Sequence, residues 1–420
     1  LIKEGCRVHF TEDQDKIPIP FSSLAKKDST LIVYTPAVSK DHAELMFFEA
    51  NKYHILKRSE VLGLISAKLK TIAIAGTHGK TTVSAILAHI LKQSETDCTA
   101  FLGGILKNYN SNLLFGSGEL AVIEADEFDH SFLHLTPFAA IITSIDPDHL
   151  DIYKDRLNLL RSFGLFVGKI KKGGKLLLKK GVDLPLSEDQ FTGIDILSYS
   201  LDSEADFYAK NIHLIEGYYL FDVVIPGGLV EGLRLGMPGR INIENAVAAV
   251  SMAWLLDIPM EIIKKSLLGF RGIQRRFDFQ FEHPEIVYID DYAHHPVELN
   301  SFIQSVKQLF PGKDITGIFQ PHLFSRTRDL YVDFAKSLES LDELILLEIY
   351  PAREKEIEGV SSKMILDKVG IKRKAIMNKD QVLDYVQETK TDVLLTMGAG
   401  DINTLRESIV KILEERKTFE

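Results

Sequence analysis

The run Gly76-Thr77-His78-Gly79-Lys80-Thr81-Thr82 stands between an apolar stretch, 71–76, and a helix-forming stretch, 82–92. Glycines at such a junction let backbone N–H groups curl around phosphate oxygens, and the helix N-terminus adds its dipole. Lys80 is then placed for the β- and γ-phosphates of a nucleotide, and the Thr81 hydroxyl for Mg²⁺. A generic phosphate loop has glycine five residues before Gly79, where this chain has Ile74, so the loop is a shorter variant. The bland alternative, a βα turn with a surface lysine, leaves the flanking strand and helix as coincidence.

Four further clusters follow apolar runs. Glu124-Ala125-Asp126-Glu127 supplies the oxygen ligands a hard cation takes. Asp146-Pro147-Asp148-His149-Leu150-Asp151 sets a histidine among carboxylates; a lone histidine is more often structural than a ligand, and these neighbours bring the two readings roughly level. Asp290-Asp291-Tyr292-Ala293-His294-His295 and Gln320-Pro321-His322-Leu323-Phe324-Ser325-Arg326-Thr327-Arg328 gather histidines, a phenol and arginines. Arginine grips a carboxylate with two parallel hydrogen bonds, so these clusters suit a small anionic substrate better than they suit helix capping.

The elements that hold these clusters alternate. A short β-branched run at 29–35 and a helical stretch reached through 49–61 and ending near Leu69 read as part of a small α/β unit. Strands at 71–76, 120–124 and 139–144, with an amphipathic helix at 82–92, predict a mainly parallel sheet. Residues 173–235 read as hairpins, turning at Pro226-Gly227-Gly228, and 242–256 as an Ala- and Val-rich helix. Strands at 286–289, 315–320, 344–348 and 393–397 then alternate with helices at 297–310, 328–341 and 402–414, a second doubly wound unit. Each cluster falls at the carboxyl end of a strand, where open α/β sheets bind ligands.

With 420 residues, 45% of them hydrophobic, the chain exceeds a single core and implies several domains. A charged fraction of 26% fits a folded protein, and the net charge of −10 argues against broad nucleic-acid binding. Cys6 and Cys98 show neither metal-type spacing nor a disulfide framework. No apolar run is long enough to span a bilayer and no secretory pattern opens the chain, so a cytoplasmic protein without membrane association is expected.

Taken together, GTHGKTT, EADEFDHSFLHL, DPDHLDIY, NIENAVAA, RRFD, YIDDYAHHP, QPHLFSRTRD, IYPARE and MGAGD stand in the order and spacing of the Mur ligases, which this chain resembles from about Thr30 onward. The resemblance implies an α/β protein of three domains. These are a partial Rossmann-like UDP-sugar-binding domain at 1–68, a central P-loop ATPase domain at 69–271 and a Rossmann-like amino-acid-binding domain at 272–420. It implies ATP and Mg²⁺, and as further substrates UDP-N-acetylmuramate and L-alanine, joined through an acyl phosphate in peptidoglycan precursor synthesis. Carried over by motif, Gly76, Thr77, His78, Gly79, Lys80, Thr81, Thr82, Asn242, Asn245 and Arg276 bind ATP. Thr81, Glu124 and His149 hold metal, and Tyr292, His294, His322 and Arg326 receive the amino acid. Lys80, His294, His322 and Arg326 are the catalytic set, with His294 or His322 as proton acceptor, and Arg275 and Arg276 open the segment between the last two domains. The chain departs from the pattern at Ile241 and Leu323, where the family often has histidine and sometimes arginine. The family's opening GxGG loop is also absent, so part of the diphosphate site is expected to lie outside this sequence. A monomer or weak homodimer is expected. The competing functions are a ligase that recycles a tripeptide onto the same sugar, a simple kinase, and a non-catalytic P-loop protein; DHLDIY and IYPARE favour the L-alanine enzyme over the first.

Overall fold

The structure, a computed structural model, describes residues 5–9, 13–146, 153, 155–185, 191–215, 217–352 and 354–417. Its centre is the strand Lys70–Ala75, in which every residue after Lys70 is buried. Successive side chains point to opposite faces of a sheet. Accordingly Ile72 and Ile74 join one apolar cluster with the helix residues Val83, Ile86 and Leu87, while Ala73 and Ala75 join another with Phe132, Phe163 and Phe166. Burial on both faces explains the unbroken apolar run, and each isoleucine contributes roughly 1.5–3 kcal/mol.

This strand sits in a ten-stranded sheet. From Phe207–Ile215 through Asp195–Ser200, Lys175–Lys179, Ala139–Ile142, Lys70–Ala75 and Leu120–Glu124 to Thr99–Leu106 the pairing is parallel throughout. Antiparallel strands close both ends: Ser111–Leu114 at one, and the hairpin Tyr218–Ile225 with Gly228–Arg234, turning at Pro226-Gly227, at the other. From Lys70–Ala75 the chain runs to one side of the sheet and then returns to the other, so the loop after this strand lies at a topological switch point.

The helix expected to be amphipathic, Lys80–Gln93, is buried from Thr81 through Leu91, because the helices Arg240–Leu255 and Met260–Gly269 cover the side that periodicity assigned to solvent. Ahead of this sheet, Leu31–Tyr34 and His54–Lys57 pair in parallel with the helix Ala43–Ala50 between them. The second strand, HILK, lies inside the stretch read as an approach to a helix; the helix itself is Arg58–Lys68.

A six-stranded sheet follows, in the order Asp278–Glu282, Val287–Asp291, Val393–Met397, Ile315–Phe319, Glu343–Leu346, Arg373–Ile376. All pairs are parallel except the first. The edge strands Asp278–Glu282 and Arg373–Ile376 and the helix Lys379–Glu388 add to the sequence expectation. The two large sheets are joined by a segment in which Arg275 (φ 62°) and Phe277 (φ 45°) take left-handed backbone angles. Lys107, from the central sheet, pairs with the buried Asp278 carboxylate across this joint. Phe277 meets Phe302 edge to face at 5.1 Å, extending the apolar core from one sheet to the other. Among the described residues no helix is long and apolar enough to cross a membrane.

Candidate functional site

The loop after Lys70–Ala75 needs its glycines. Gly76 has φ 131°, and a Cβ there would stand 2.1 Å from Thr143 Oγ1; Gly79 has φ 81° and caps the Lys80–Gln93 helix. The loop is pinned from the neighbouring strand end, where Ser144 Oγ accepts from His78 N at 2.9 Å and lies 3.0 Å from Thr77 Oγ1.

Lys80, a surface residue in the bland reading, has a side chain only 14% exposed and pairs at 2.8 Å with Glu127, which is 1% exposed. It also donates to Gly76 O at 2.6 Å. Burial alone would pull the ammonium down, but Glu127, Asp126 and Glu124 outweigh it and hold the lysine above its ordinary value. Thr81 donates to Glu124 Oε1 at 2.9 Å, and Glu124 Oε2 accepts from Gly103 N at 2.7 Å. This pair of hard oxygen donors beside the phosphate loop fits Mg²⁺. That ion keeps several waters and takes one or two protein ligands besides phosphate, so it needs no larger cage. Among the described residues no group of three His, Cys, Asp or Glu side chains is assembled for a metal. His149 lies outside the described residues.

Across from this loop, three adjacent parallel strands of the second large sheet end together. Val287–Asp291 delivers Tyr292 and His294, Ile315–Phe319 delivers His322 and Arg326, and Val393–Met397 delivers Gly398 and Ala399. Both clusters open into one cleft of about 1400 Å³ lined by Thr77, His78, Gly79, Lys80, Thr81, Glu124, Arg275, Arg276, Tyr292, His294, His322 and Arg326. Arg58 and Ser59, at the start of the Arg58–Lys68 helix, reach the same cleft.

Within it, the guanidinium carbons of Arg275 and Arg276 lie 4.9 and 5.1 Å from the centre of the Tyr292 ring. His294 stands 5.2 Å from Tyr292 and 6.2 Å from His322, centre to centre, and His322 stacks on Tyr350 at 5.8 Å. Leu323, at φ 70°, turns the chain sharply between His322 and the helix that carries Arg326. The imidazole of His294 is lowered to about 4, chiefly by burial, with Arg326 and Arg276 adding to the effect and Glu298 opposing it. It is therefore neutral near pH 7.

Gly76, Thr82, Asn242 and Asn245, assigned to nucleotide by motif, do not line the cleft. All four are buried. Asn242 donates to Pro238 O at 2.5 Å, Asn245 to Asn242 Oδ1 at 3.3 Å, and a Cβ at Gly79 would come 2.7 Å from Asn245 Oδ1. These asparagines support the back of the phosphate loop. Two functional carboxylates escaped the residue-level assignments. Glu127 holds Lys80, and Glu298, four residues after His294, touches both halves of the cleft. The only sequence signal for Glu298 was that i,i+4 spacing in the first turn of a helix.

Comparison with known families adds the decisive observation: residues 74–253 match the Mur ligase middle domain, and residues 275–400 match the Mur ligase, glutamate ligase domain. A relative named UDP-N-acetylmuramate–L-alanine ligase, from Parabacteroides distasonis, is 49% identical over 414 residues, 98% of this chain and 88% of the relative. The chain belongs to the Mur ligase family. A ligase of the same name from Porphyromonas gingivalis is 50% identical to this Mur ligase over 408 residues, covering 96% of the chain and 88% of the relative. The solved UDP-N-acetylmuramate-alanine ligase of Thermotoga maritima superposes with a TM-score of 0.81 at 26% identity, covering all of this chain (100%) and 90% of its own. A murein peptide ligase from Psychrobacter arcticus shares the fold at TM-score 0.65 and 20% identity, covering 91% of this chain and 85% of its own. In this Mur ligase the two matched families meet at the cleft, one supplying the phosphate loop and the other the histidines and arginines.

Proposed function

We propose that this Mur ligase joins L-alanine to the lactyl carboxylate of UDP-N-acetylmuramate with consumption of ATP, a step of peptidoglycan precursor synthesis. The observation that carries the reading is the shared cleft, with a lysine-bearing phosphate loop on one wall and Tyr292, His294, His322 and Arg326 on the other. Near-50% identity along almost the whole chain to ligases so named supports the choice of amino acid. The three sheets suggest the division of labour: 1–68 for the UDP-sugar, 69–271 for ATP and 272–420 for the amino acid.

Two displacements accomplish the reaction. The lactyl carboxylate oxygen forms a bond to the γ-phosphorus while the bond to the β-phosphate oxygen breaks, and ADP leaves. The amine of L-alanine then adds to the acyl carbonyl, loses its proton, and phosphate departs with the carbon–oxygen bond electrons. Without the first step the leaving group would be oxide. Lys80 and the N–H groups at the Lys80–Gln93 helix start hold the phosphates and offset the charge developing on them. Thr81 and Glu124 would hold Mg²⁺, with His149 a further ligand by motif; when bound, the ion spreads charge off the β- and γ-oxygens. Arg326 clamps the amino-acid carboxylate, and His294 or His322 takes the ammonium proton. The ammonium of a free amino acid titrates above the ~8 of a peptide α-amino group and His294 at about 4, so in the empty cleft that transfer is uphill by more than about 5 kcal/mol. Anionic substrates packed beside His294 raise its basicity and narrow the gap.

The test is phosphate release with ATP and UDP-N-acetylmuramate, adding each amino acid or the recycled tripeptide in turn. Turnover with L-alanine is expected. Turnover with the tripeptide but not with L-alanine would assign the recycling reaction, and ADP formation without any amine requirement would indicate a kinase.

A further inference from the structure

One carboxylate in the cleft belongs to neither set of motif residues. Glu298 sits in the first turn of the helix Pro296–Leu309, with a side chain 15% exposed. Its Oε1 lies 3.2 Å from Nδ1 of His78, in the phosphate loop of the other large sheet. Its Oε2 accepts from the backbone N of His294 at 3.1 Å and lies 3.3 Å from His294 Nδ1. Arg276, from the joining segment, approaches Oε1 at 3.9 Å. Although burial opposes the charge, His294, His78 and Arg276 hold Glu298 ionised, well below the usual carboxylate range.

An ionised carboxylate only accepts hydrogen bonds, so the proton between Glu298 and His78 rests on His78 Nδ1. The same logic applies to His294. Its Nδ1 faces two acceptors, Glu298 Oε2 and Tyr292 O at 3.0 Å, so Nδ1 carries the hydrogen. In the neutral ring the lone pair is then on Nε2, the nitrogen that can take a proton. Glu298 thus sets which nitrogen of His294 is basic while holding a residue of the phosphate loop with its other oxygen.

We propose that Glu298 is a positioning residue that fixes the tautomer of His294 and ties it to His78, so that the amino-acid side of the cleft is set through the phosphate loop. This rests on the ligase reading above. The alternative is a helix cap, since the contact with His294 N also serves the start of Pro296–Leu309. A cap contributes stability and has no reason to respond to His78.

A double-mutant cycle separates the two, using wild type, His78→Asn, Glu298→Gln and the pair. The first readout is kcat/KM for L-alanine at saturating ATP and UDP-N-acetylmuramate. The second is acyl-phosphate formation without L-alanine, trapped as the hydroxamate by hydroxylamine. Glu298→Gln is expected to lower kcat/KM for L-alanine roughly tenfold to a hundredfold, and hydroxamate formation far less. His78→Asn is expected to raise the KM for L-alanine although it lies on the nucleotide side, and the pair to be no worse for L-alanine than Glu298→Gln alone. Losses that multiply in the pair, or an equal loss in both readouts, would overturn the proposal. Should Glu298→Gln fail to fold, His78→Asn decides the matter by itself, because an unchanged KM for L-alanine removes the tie. A wild type that makes hydroxamate but never uses L-alanine would instead overturn the ligase reading.

Discussion

At the scale of single residues, burial changes how the phosphate-loop lysine must be tested. Lys80 is buried against Glu127, so Lys80→Ala leaves an uncompensated carboxylate in the core and should destabilise the protein by about 3–5 kcal/mol, besides removing the phosphate cation. The pair Lys80→Met with Glu127→Gln should recover most of that stability in denaturant titrations. Its turnover should remain about 10²–10³-fold down, because the donor to the phosphates is still absent. Recovery of activity along with stability would show that Lys80 matters only as a counter-ion. Arg326 makes the opposite kind of prediction. L-Alanine offers a carboxylate, an amine and one methyl group, and the methyl supplies only about 1 kcal/mol. Recognition must therefore rest on the carboxylate, and Arg326→Ala should raise the KM for L-alanine about 10²-fold with little change for ATP. Alaninamide should be a poor substrate of the parent enzyme and lose that disadvantage in the variant. If the parent uses the amide as readily as the acid, Arg326 is not the clamp.

At the scale of elements, the strand Thr99–Leu106 supplies a backbone approach to Glu124 that a side chain at Gly103 would disturb. A Cβ on Gly103 would lie 2.5 Å from both oxygens of the Glu124 carboxylate. Because the obstacle is the end of a flexible side chain, Gly103→Ala should fold, but with Glu124 pushed away from Thr81 and the Gly103 N–H. A displacement on the order of 1 Å can cost about 10²-fold in rate, and here the loss should appear as a raised Mg²⁺ requirement. An unchanged Mg²⁺ titration would detach Glu124 from the metal. Such contacts mark the limit of what the sequence discloses. The placement of the clusters was legible because buried parallel strands read as apolar runs and their carboxyl ends follow directly. The strand His54–Lys57 was not, since four residues with two apolar positions set between His54 and Lys57 carry no clear period. The Lys80–Gln93 helix misled for the opposite reason: its polar Thr82, Ser84 and His89 are buried, with helices that arrive more than a hundred residues later packed on it. Glu298 looks like an ordinary surface acid until the fold brings His78 to it, and Glu127, one of a cluster read as cation ligands, is instead the partner of Lys80.

At the scale of the whole molecule, acid should act on the protein through its buried histidines. His89 lies in the Lys80–Gln93 helix between Tyr109 and Phe270, with Nδ1 3.0 Å from the Tyr109 hydroxyl. Burial depresses it from 6.5 to about 4, against a smaller opposing contribution from the Ser266 backbone. His294 is depressed to a similar value in the cleft. A histidine whose folded value lies below its unfolded one binds fewer protons folded than unfolded. Its contribution is complete above pH 6.5 and is lost as pH falls from there toward 4. Each such group is worth about 3 kcal/mol over that window, since one unit corresponds to 1.36 kcal/mol. The two groups differ in what they report. His89 lies within the core behind the phosphate loop, so its protonation must open the packing of that helix, whereas His294 can be relieved by local movement at the cleft. His89→Gln should therefore be less stable than the parent at pH 7.5, having lost aromatic packing and the Tyr109 contact. Its urea midpoint should nevertheless fall less between pH 7.5 and 5 than that of the parent. Equal falls in both proteins would mean that His89 is not buried neutral in the folded state, and that acid acts elsewhere.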